Sequence, residues 1–274
     1  MLFLKNGLVV RSQGFEDFRE FGNPINQLER LNDWMADELI YIDITREGFY
    51  DLKRDDHKIH VSPDVLEILR VISRECFMPL TFGGRIRTFD DVAQLISGGA
   101  DKVVINTAAY QTPSLITQVA DHFGRQCMVL GIDVKKVAGR HRLFVAQGTE
   151  EAADSPEEWA KKAADLGAGE IFLNSIDRDG TGEGYDLEII DKISRNVRVP
   201  VIACGGAGSF DDFEQVLRQT AASAAAAGNI FNFTENAYIK AKKQLTAGGC
   251  SVKPASPEKY ERPYHDSPAK NSIL

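Results

Sequence analysis

The sequence predicts an α/β protein, a single (β/α)8 or TIM barrel made of two similar half-barrels, followed by a disordered C-terminal tail. Two observations lead to this prediction. Short apolar runs alternate with longer segments of helical periodicity along the chain, and the second half repeats the order of the first. The 274 residues suit one such barrel, which takes about 250 residues. We place the barrel at residues 1–245 and the tail at 246–274, where the proline-containing sequence loses its apolar periodicity.

Eight runs rich in β-branched and aromatic residues are predicted as strands. They cover residues 2–10, 38–44, 80–82, 102–105, 127–132, 170–173, 201–204 and, with the weakest pattern, 222–227. Helical segments follow several of them and begin at capping residues, such as Thr88 before Asp90 and Ser155 before Pro156. Because strands and helices alternate, the strands are expected to be parallel, and eight such units favour a closed barrel over an open sheet.

Three segments of the first half recur in the second. The run Pro79-Leu-Thr-Phe-Gly-Gly, followed by Phe89-Asp-Asp, matches Pro200-Val-Ile-Ala-Cys-Gly-Gly followed by Phe210-Asp-Asp. Residues 37–42 match 169–174, and residues 2–5 match 132–135. Strands one to four are therefore echoed by strands five to eight, which places Phe3 at the position of Asp133.

Composition and charge limit the classes of partner. A net charge of -8 gives no general attraction to nucleic acid or to an anionic membrane, so an anionic ligand must be captured by local groups. The four cysteines, Cys76, Cys127, Cys204 and Cys250, form no C-x-x-C pair and predict a reducing compartment rather than a zinc site. With no signal peptide or membrane span in view, we expect a cytoplasmic protein without metal or cofactor.

Glycine pairs follow two equivalent strands. Gly83 and Gly84 after strand three, with Asn106 and Thr107 after strand four, correspond to Gly205, Gly206 and Gly208 after strand seven, with Gly228 and Asn229 after strand eight. Glycines at this face let backbone amides approach an anion, although a lone pair is often a plain turn. Their recurrence predicts a ligand with a phosphate at each end. Arg85 stands where the second half has Ala207; it either contacts the phosphate or closes the site.

Carboxylates at strand ends are the candidate acids and bases. Asp133 ends strand five and is the leading one; its alternative role is to cap a loop or to pair with Lys135. Asp177 and Asp179 follow strand six, with Thr181 and Asn174 as polar neighbours. A surface turn rich in aspartate and glycine has the same appearance.

At this point the sequence resembles a known family. The segments 175–181 (SIDRDGT), 100–103 (ADKV), 105–109 (INTAA), 113–118 (PSLITQ) and 205–208 (GGAG) are similar to the cyclase subunit of imidazole glycerol phosphate synthase, and the likeness runs from residue 2 to about 243. In that family a glutaminase partner releases ammonia, which crosses the barrel to a phosphorylated substrate. Two aspartates then assist closure of an imidazole ring with release of an aminoimidazole carboxamide ribotide.

The resemblance assigns roles to individual residues. Asp133 matches the strand-five catalytic aspartate, and Asp179 with Thr181 matches the substrate-binding loop. The phosphate-site positions are matched by Asn106, Thr107, Gly206, Gly228 and Asn229. Glu38, Lys102 and Glu170 match a charged ring at the ammonia entrance, whose fourth member, an arginine, would precede Met1.

The chain also departs from the family pattern. Phe3 replaces the strand-one catalytic aspartate, Asn6 replaces a second aspartate, and Arg11 stands where the first mobile loop has a lysine. Because phenylalanine cannot transfer a proton, loss of this group costs a factor of about 100 to 10,000 in rate. The sequence begins midway through the predicted strand one, so a longer translated start is an open alternative.

Three functions remain. The first is an ammonia-channelling lyase-type subunit of a glutamine amidotransferase complex, resembling paralogues that work with a glutaminase and a sugar amidotransferase in surface-polysaccharide (lipopolysaccharide) biosynthesis. The second is the cyclase subunit of histidine biosynthesis. The third is a non-catalytic barrel that binds phosphorylated sugars.

Overall fold

The computed structural model describes residues 1–46, 64–232 and 235–254. Eight parallel strands form the barrel in chain order, each paired with the next. They are β1 (Leu2–Lys5), β2 (Leu39–Asp43), β3 (Leu80–Gly83), β4 (Lys102–Ile105), β5 (Met128–Val137), β6 (Glu170–Ser175), β7 (Val201–Cys204) and β8 (Ala224–Ala225). The circle closes where the Met1 amino group donates a hydrogen bond of 2.9 Å to the carbonyl oxygen of Ala227. The predicted barrel is confirmed.

Helices surround the strands in the described part of the chain. They are α1 (Pro24–Asp33), α2 (Val65–Glu75), α3 (Phe89–Ser97), α4 (Thr107–Gln111), α5 (Ser114–Phe123), α6 (Pro156–Leu166), α7 (Leu187–Asn196), α8 (Phe210–Gln219) and α9 (Ala237–Ala247). The predicted caps of α3 and α6 are present, since the Thr88 and Ser155 hydroxyls accept from the amides of Asp91 and Glu158. The Asp91 carboxylate accepts from the Thr88 amide as Asp212 does from Ser209 before α8, so the repeat extends to the capping contacts.

Alternation along the strands separates two apolar cores. Outward-facing residues such as Tyr41, Phe82 and Leu173 pack against the helices. A smaller cluster fills the inside of the barrel and consists of Ile40, Val104, Val129, Phe172, Ile202 and Cys204. Successive side chains on a strand point to opposite faces of the sheet. The residues two positions after those of the smaller cluster therefore also point inward, and they reach the open end of the barrel.

The predicted strand over residues 2–10 is wrong in one respect, because it contains a tight turn. Asn6 and Gly7 have φ values of 52° and 80°, the two positive values that a two-residue hairpin turn requires. The chain reverses there into Leu8–Gln13, which pairs antiparallel with β1 and with Asp17–Gly22. We call the unit formed by Leu8–Gln13 and Asp17–Gly22 the first hairpin. Periodicity alone missed the turn, although Asn-Gly is the strongest short hairpin signal.

A second hairpin follows β5 at the equivalent place. β5 runs on to Val137, turns at Ala138 and Gly139 with φ values of 49° and 76°, and pairs antiparallel with Arg140–Val145. This hairpin was not predicted from the sequence. Both halves therefore carry an antiparallel extension after their first strand, as expected of two similar half-barrels.

The C-terminal region is described only in part. α9 ends at Ala247, and residues 248–254 have no regular structure. The predicted tail lies mostly outside the described residues, so its boundary at residue 246 stays a prediction. None of the helices in the described ranges has the length and apolar character needed to cross a membrane.

Candidate functional site

Two cavities open at the carboxyl ends of the barrel strands, one for each half. The first cavity, of about 570 Å³, is lined by residues that include Gly84, Asn106, Thr107 and Asp133. The second cavity, of about 330 Å³, is lined by the remaining predicted phosphate-site and loop residues, Asp179, Thr181, Gly205, Gly206, Gly208, Gly228 and Asn229. Of the predicted site residues at this end, Gly83 and Asp177 line neither cavity. Asp177 is exposed and accepts a hydrogen bond from the amide of Lys136. The arrangement is the one expected for a ligand with two anionic ends.

Asp133 lies on the floor of the first cavity. Its Oδ2 accepts a hydrogen bond of 2.7 Å from Nδ2 of Asn106. The pKa of Asp133 is raised to about 7, mainly because the carboxyl group is buried and also because Asp179 is negatively charged, while the hydrogen bond from Asn106 opposes the shift. A carboxyl group with a pKa near neutrality can both give and take a proton, as a general acid or base must.

Phe3 faces both cavities, as a lining residue of each. It is 6% exposed, and its ring meets the edge of Phe15 with 5.8 Å between the ring centroids. β1 therefore brings an apolar ring, and no titratable group, to the position that is equivalent to Asp133.

Arg85 is the asymmetric member of the glycine loops. The positive φ values of Gly84 and Arg85 (89° and 58°) match those of Gly205 and Gly206 (92° and 105°), so Arg85 is equivalent to Gly206. The sequence-based pairing of Arg85 with Ala207 was therefore wrong by one residue. Its guanidinium lies 3.7 Å from Oδ2 of Asp43 and lines the first cavity, which leaves that cavity open.

Close packing of the backbone also explains why glycine occupies these positions. A Cβ atom at Gly84 would overlap the backbone of Asp43, and one at Gly206 would overlap the backbone of Gly184. The amides ahead of α3 and α8 are already bonded to Asp91 and Asp212. These four amides are therefore not available to an anion, whereas the first-turn amides of α4 and of the short 3-10 turn Asn229–Asn232 are candidate donors.

Asp179 holds the first hairpin over the second cavity. Its Oδ2 accepts from the Ser12 hydroxyl at 2.5 Å and from the Phe15 amide at 3.4 Å. Nδ2 of Asn229 donates to the carbonyl oxygen of Ser12. Burial raises the pKa of Asp179, against the hydrogen bonds that lower it. Asp179 is thus a docking point for the hairpin that carries Arg11.

Several cavity residues were not predicted. Asp43 is the last residue of β2, Thr45 and Arg46 follow it, and Arg87 follows β3; all four line the first cavity. Asp43 is buried and accepts from the amide of Thr45 at 3.0 Å. The sequence carries only a weak signal for these residues, since single polar residues after a strand are common. The order of the strands in the barrel is what brings these side chains into one cavity.

The predicted entrance residues meet at the opposite end of the barrel. Nζ of Lys102 lies 2.6 Å from Oε1 of Glu170 and 3.2 Å from Oε2 of Glu38. Desolvation lowers the pKa of Lys102, but its two carboxylate partners more than compensate and the net pKa is raised. We call these three residues the entrance ring. Directly inside it lies the apolar cluster around Val104 and Phe172.

One further group of possible metal ligands occurs among the described residues. His141, Asp186 and Glu188 bring ligand atoms within 4.8 Å of one another. Glu188 is paired with both Lys136 and Lys192, and these cations compete with any metal ion. The sequence analysis did not single out this group.

Fold and site place the chain among (β/α)8 barrels built from two half-barrels, with a polar cavity at the mouth of each half. The profile of the histidine biosynthesis protein family matches residues 2–237. The chain is 42% identical over 245 residues to the imidazole glycerol phosphate synthase subunit HisF of Alkaliphilus metalliredigens, covering 89% of this chain and 93% of that protein. It is 38% identical over 252 residues to the HisF subunit of Natranaerobius thermophilus, covering 92% and 96%.

A third relative comes from Pseudomonas aeruginosa and is provisionally named imidazole glycerol phosphate synthase subunit hisF2. It is 42% identical over 233 residues, covering 85% of this chain and 88% of that protein. The chain therefore belongs to the histidine biosynthesis protein family and is similar over most of its length to HisF-type subunits of imidazole glycerol phosphate synthase. Identity alone does not separate the HisF and hisF2 relatives, since both reach 42%.

Proposed function

We propose that this HisF-type barrel receives ammonia from a glutaminase partner and delivers it in the cytoplasm for amidation of a surface-polysaccharide sugar by a separate sugar amidotransferase. The observation that carries the proposal is Phe3, which brings an apolar ring to the site at the position equivalent to Asp133. A barrel with one proton-transferring carboxylate of an expected pair is suited to delivering ammonia more than to closing a ring.

The interior supports ammonia passage. The entrance ring presents Lys102 between two carboxylates. The cluster beyond it is apolar apart from the Cys204 thiol, which forms only weak hydrogen bonds. Burying a charge in such surroundings is costly, whereas neutral ammonia crosses with a smaller penalty. The apolar interior thus favours ammonia over ammonium within the barrel.

The cavities support a phosphorylated ligand. Arg46, Arg85 and Arg87 line the first cavity, and arginine is well suited to bind phosphate because its guanidinium presents a planar set of donors. Among the described residues, none of those lining the second cavity is an arginine or lysine, and this cavity offers glycine-rich backbone instead. A ligand that spans both cavities would have its more exposed anionic group among the three arginines of the first cavity.

A coupling experiment tests the proposal. The purified chain is mixed with a matching HisH-type glutaminase, and complex formation and glutamine hydrolysis are measured. We expect a complex and stimulated hydrolysis, with a weaker response for Lys102→Met than for the exposed control Lys161→Met. Absence of a complex, together with unchanged glutaminase activity, would contradict the proposal.

A second function is favoured by the relatives named HisF, namely the ring-closing cyclase of histidine biosynthesis. It predicts that the gene restores growth of a strain lacking that subunit. Failure to complement, with restoration by Phe3→Asp, would exclude it. A third function, a non-catalytic phosphate-sugar binder, requires that Asp133→Asn leave ligand affinity and every activity of the complex unchanged.

A further inference from the structure

Phe3 lies between the two cavities. Among the described residues it is the single one that lines both of them. Its register partner on β2 is Ile42, which packs against the apolar cluster inside the barrel, so Phe3 also points inward. β1 and β5 are four strands apart in the ring of eight, which places Phe3 and Asp133 on opposite sides of the mouth. The Phe3 side chain is therefore a wall that both cavities share.

Phe15 continues this wall across the mouth. Its ring meets the ring of Phe3 edge to face, with 5.8 Å between the centroids. The same ring packs against Gly148, where a Cβ atom would lie 3.1 Å from Cδ2 of Phe15 and 2.9 Å from Cδ1 of Ile176. Gly148 follows the second hairpin, and Ile176 follows β6. The contacts thus run from β1 to the loops after β5 and β6, on the opposite side of the barrel.

The turn that carries Phe15 is fixed in place. Gly14 and Phe15 have φ values of 61° and 59°, and a bulky side chain rarely adopts this left-handed conformation. Such strain persists where other contacts hold the backbone. Here the Gly14 amide donates to the carbonyl oxygen of Asp179 at 3.0 Å, and the Phe15 amide donates to Oδ2 of the same residue. The ring of Phe15 is therefore held against Phe3.

Each cavity is large enough to hold a ligand of its own. Their volumes are about 570 and 330 Å³, and small-molecule sites in proteins have volumes of about 300–1,000 Å³. Phe15 lines the first cavity, whereas Ser12 and Asp179, which hold its turn, line the second. An elongated ligand with an anionic group in each cavity would meet the rings of Phe3 and Phe15 in between.

We infer that Phe3, braced by Phe15, is a specificity-determining residue that divides the mouth into two separate ligand sites. The first cavity then takes a compact molecule with one anionic group, such as a sugar monophosphate, and an elongated bisphosphate is excluded. The two glycine-rich loops serve two ligands with one anionic end each, in place of one ligand with two. This inference deepens the proposed function by naming its ligand class, and it rests on the part of that proposal in which the cavities bind phosphorylated ligands.

The test compares ligands with one and two phosphates by isothermal titration calorimetry of the full chain. The probes are the monophosphates and bisphosphates of butanediol, octanediol and dodecanediol. Each pair shares one linker, so the ratio of the two Kd values isolates the effect of the second phosphate. For the native chain we expect a ratio of about two, because either end can bind but the ends cannot bind together.

Phe3→Ala removes the shared wall. Its best linker is expected to give a ratio of at least about ten, because the second phosphate then binds intramolecularly. Phe15→Ala removes the brace and is expected to give an intermediate ratio, and it tests the same passage if Phe3→Ala does not fold. Phe3→Met keeps most of the bulk and the native ratio. Phe77→Ala, whose side chain is 74% exposed before β3, is the matched control. Circular dichroism checks that each variant is folded.

Three results would overturn the inference. The first is a native chain that already shows the gain with the linker that works best in Phe3→Ala. The second is the absence of any gain in both alanine variants of the wall, and the third is the absence of monophosphate binding to the native chain. No glutaminase is present in this experiment. If the glutaminase neither associates nor responds in the coupling experiment, ammonia delivery fails while the division of the mouth stands.

Discussion

Asp133→Asn is expected to stabilise the protein above pH 7 and to leave it unchanged near pH 4. The pKa of Asp133 is about 7 in the folded chain, against about 3.9 for an unfolded aspartate. Between pH 4 and pH 7 the folded state keeps a proton on Asp133 that the unfolded state has lost, so a rise in pH lowers the free energy of unfolding. The contribution of Asp133 to stability is therefore fully present below pH 4. It is lost as the pH rises through 7. Asparagine does not titrate and can still accept from Asn106.

The magnitude follows from the two pKa values. A difference of about three pH units at 1.36 kcal/mol each gives an upper limit of about 4 kcal/mol. The Asp133 carboxyl lies in a cavity that water enters, so a higher effective dielectric reduces the effect, and we expect about 2 kcal/mol.

Urea unfolding between pH 4 and pH 8 measures this effect. The two tryptophans, Trp34 and Trp159, are both buried and report unfolding by fluorescence. Asp165→Asn, at an exposed position in α6, is the matched control. The reasoning is refuted if the stability difference between the native chain and Asp133→Asn is the same at both ends of the range, or if it changes in the opposite direction.

Three shorter predictions concern other parts of the barrel. Gly84→Ala is expected to cost about 3 kcal/mol in urea unfolding, because its Cβ would overlap adjoining backbone at a φ of +89°; Gly139→Ala, at +76° with nothing within 4 Å, is expected to cost about 1 kcal/mol. Ser12→Ala loses the hydrogen bond to Asp179, worth about 2 kcal/mol, so amide exchange in the first hairpin becomes faster. Lys102→Met is expected to cost about 1 kcal/mol, because the entrance ring is partly exposed, and to reduce amidation driven by glutamine but not by added ammonium.

The barrel could be predicted because its information is local and repeated. Each strand is a short apolar run, and the match of Phe89-Asp-Asp with Phe210-Asp-Asp marks equivalent helices whose aspartates make the same capping contacts. Asn6-Gly7 carried an equally local signal for a hairpin. It was missed because the apolar residues on both sides of the turn read as one continuous strand.

Side-chain partners could not be predicted in the same way. The pairing of Asp43 with Arg85 and the position of Asn174 beside Asp133 depend on the register between strands that are distant in sequence. The pairing of Arg85 with Ala207 was wrong because alignment of the two glycine pairs shifts the repeat by one residue. The backbone φ values show that Arg85 is equivalent to Gly206. The entrance ring was proposed from resemblance, and geometry brings its three members together.

The inward face of the barrel changes character in steps from one end to the other. It begins with Lys102 between two carboxylates, continues through the apolar layer around Phe172, and ends at Asp133 and its two asparagine neighbours. The alternation of strand side chains keeps all three layers on one path, and none of them depends on Phe3. Phe3 can therefore supply no proton on the β1 side of the mouth while the path to Asp133 stays intact, which is the physical basis on which we propose that ammonia delivery is separate from ring closure.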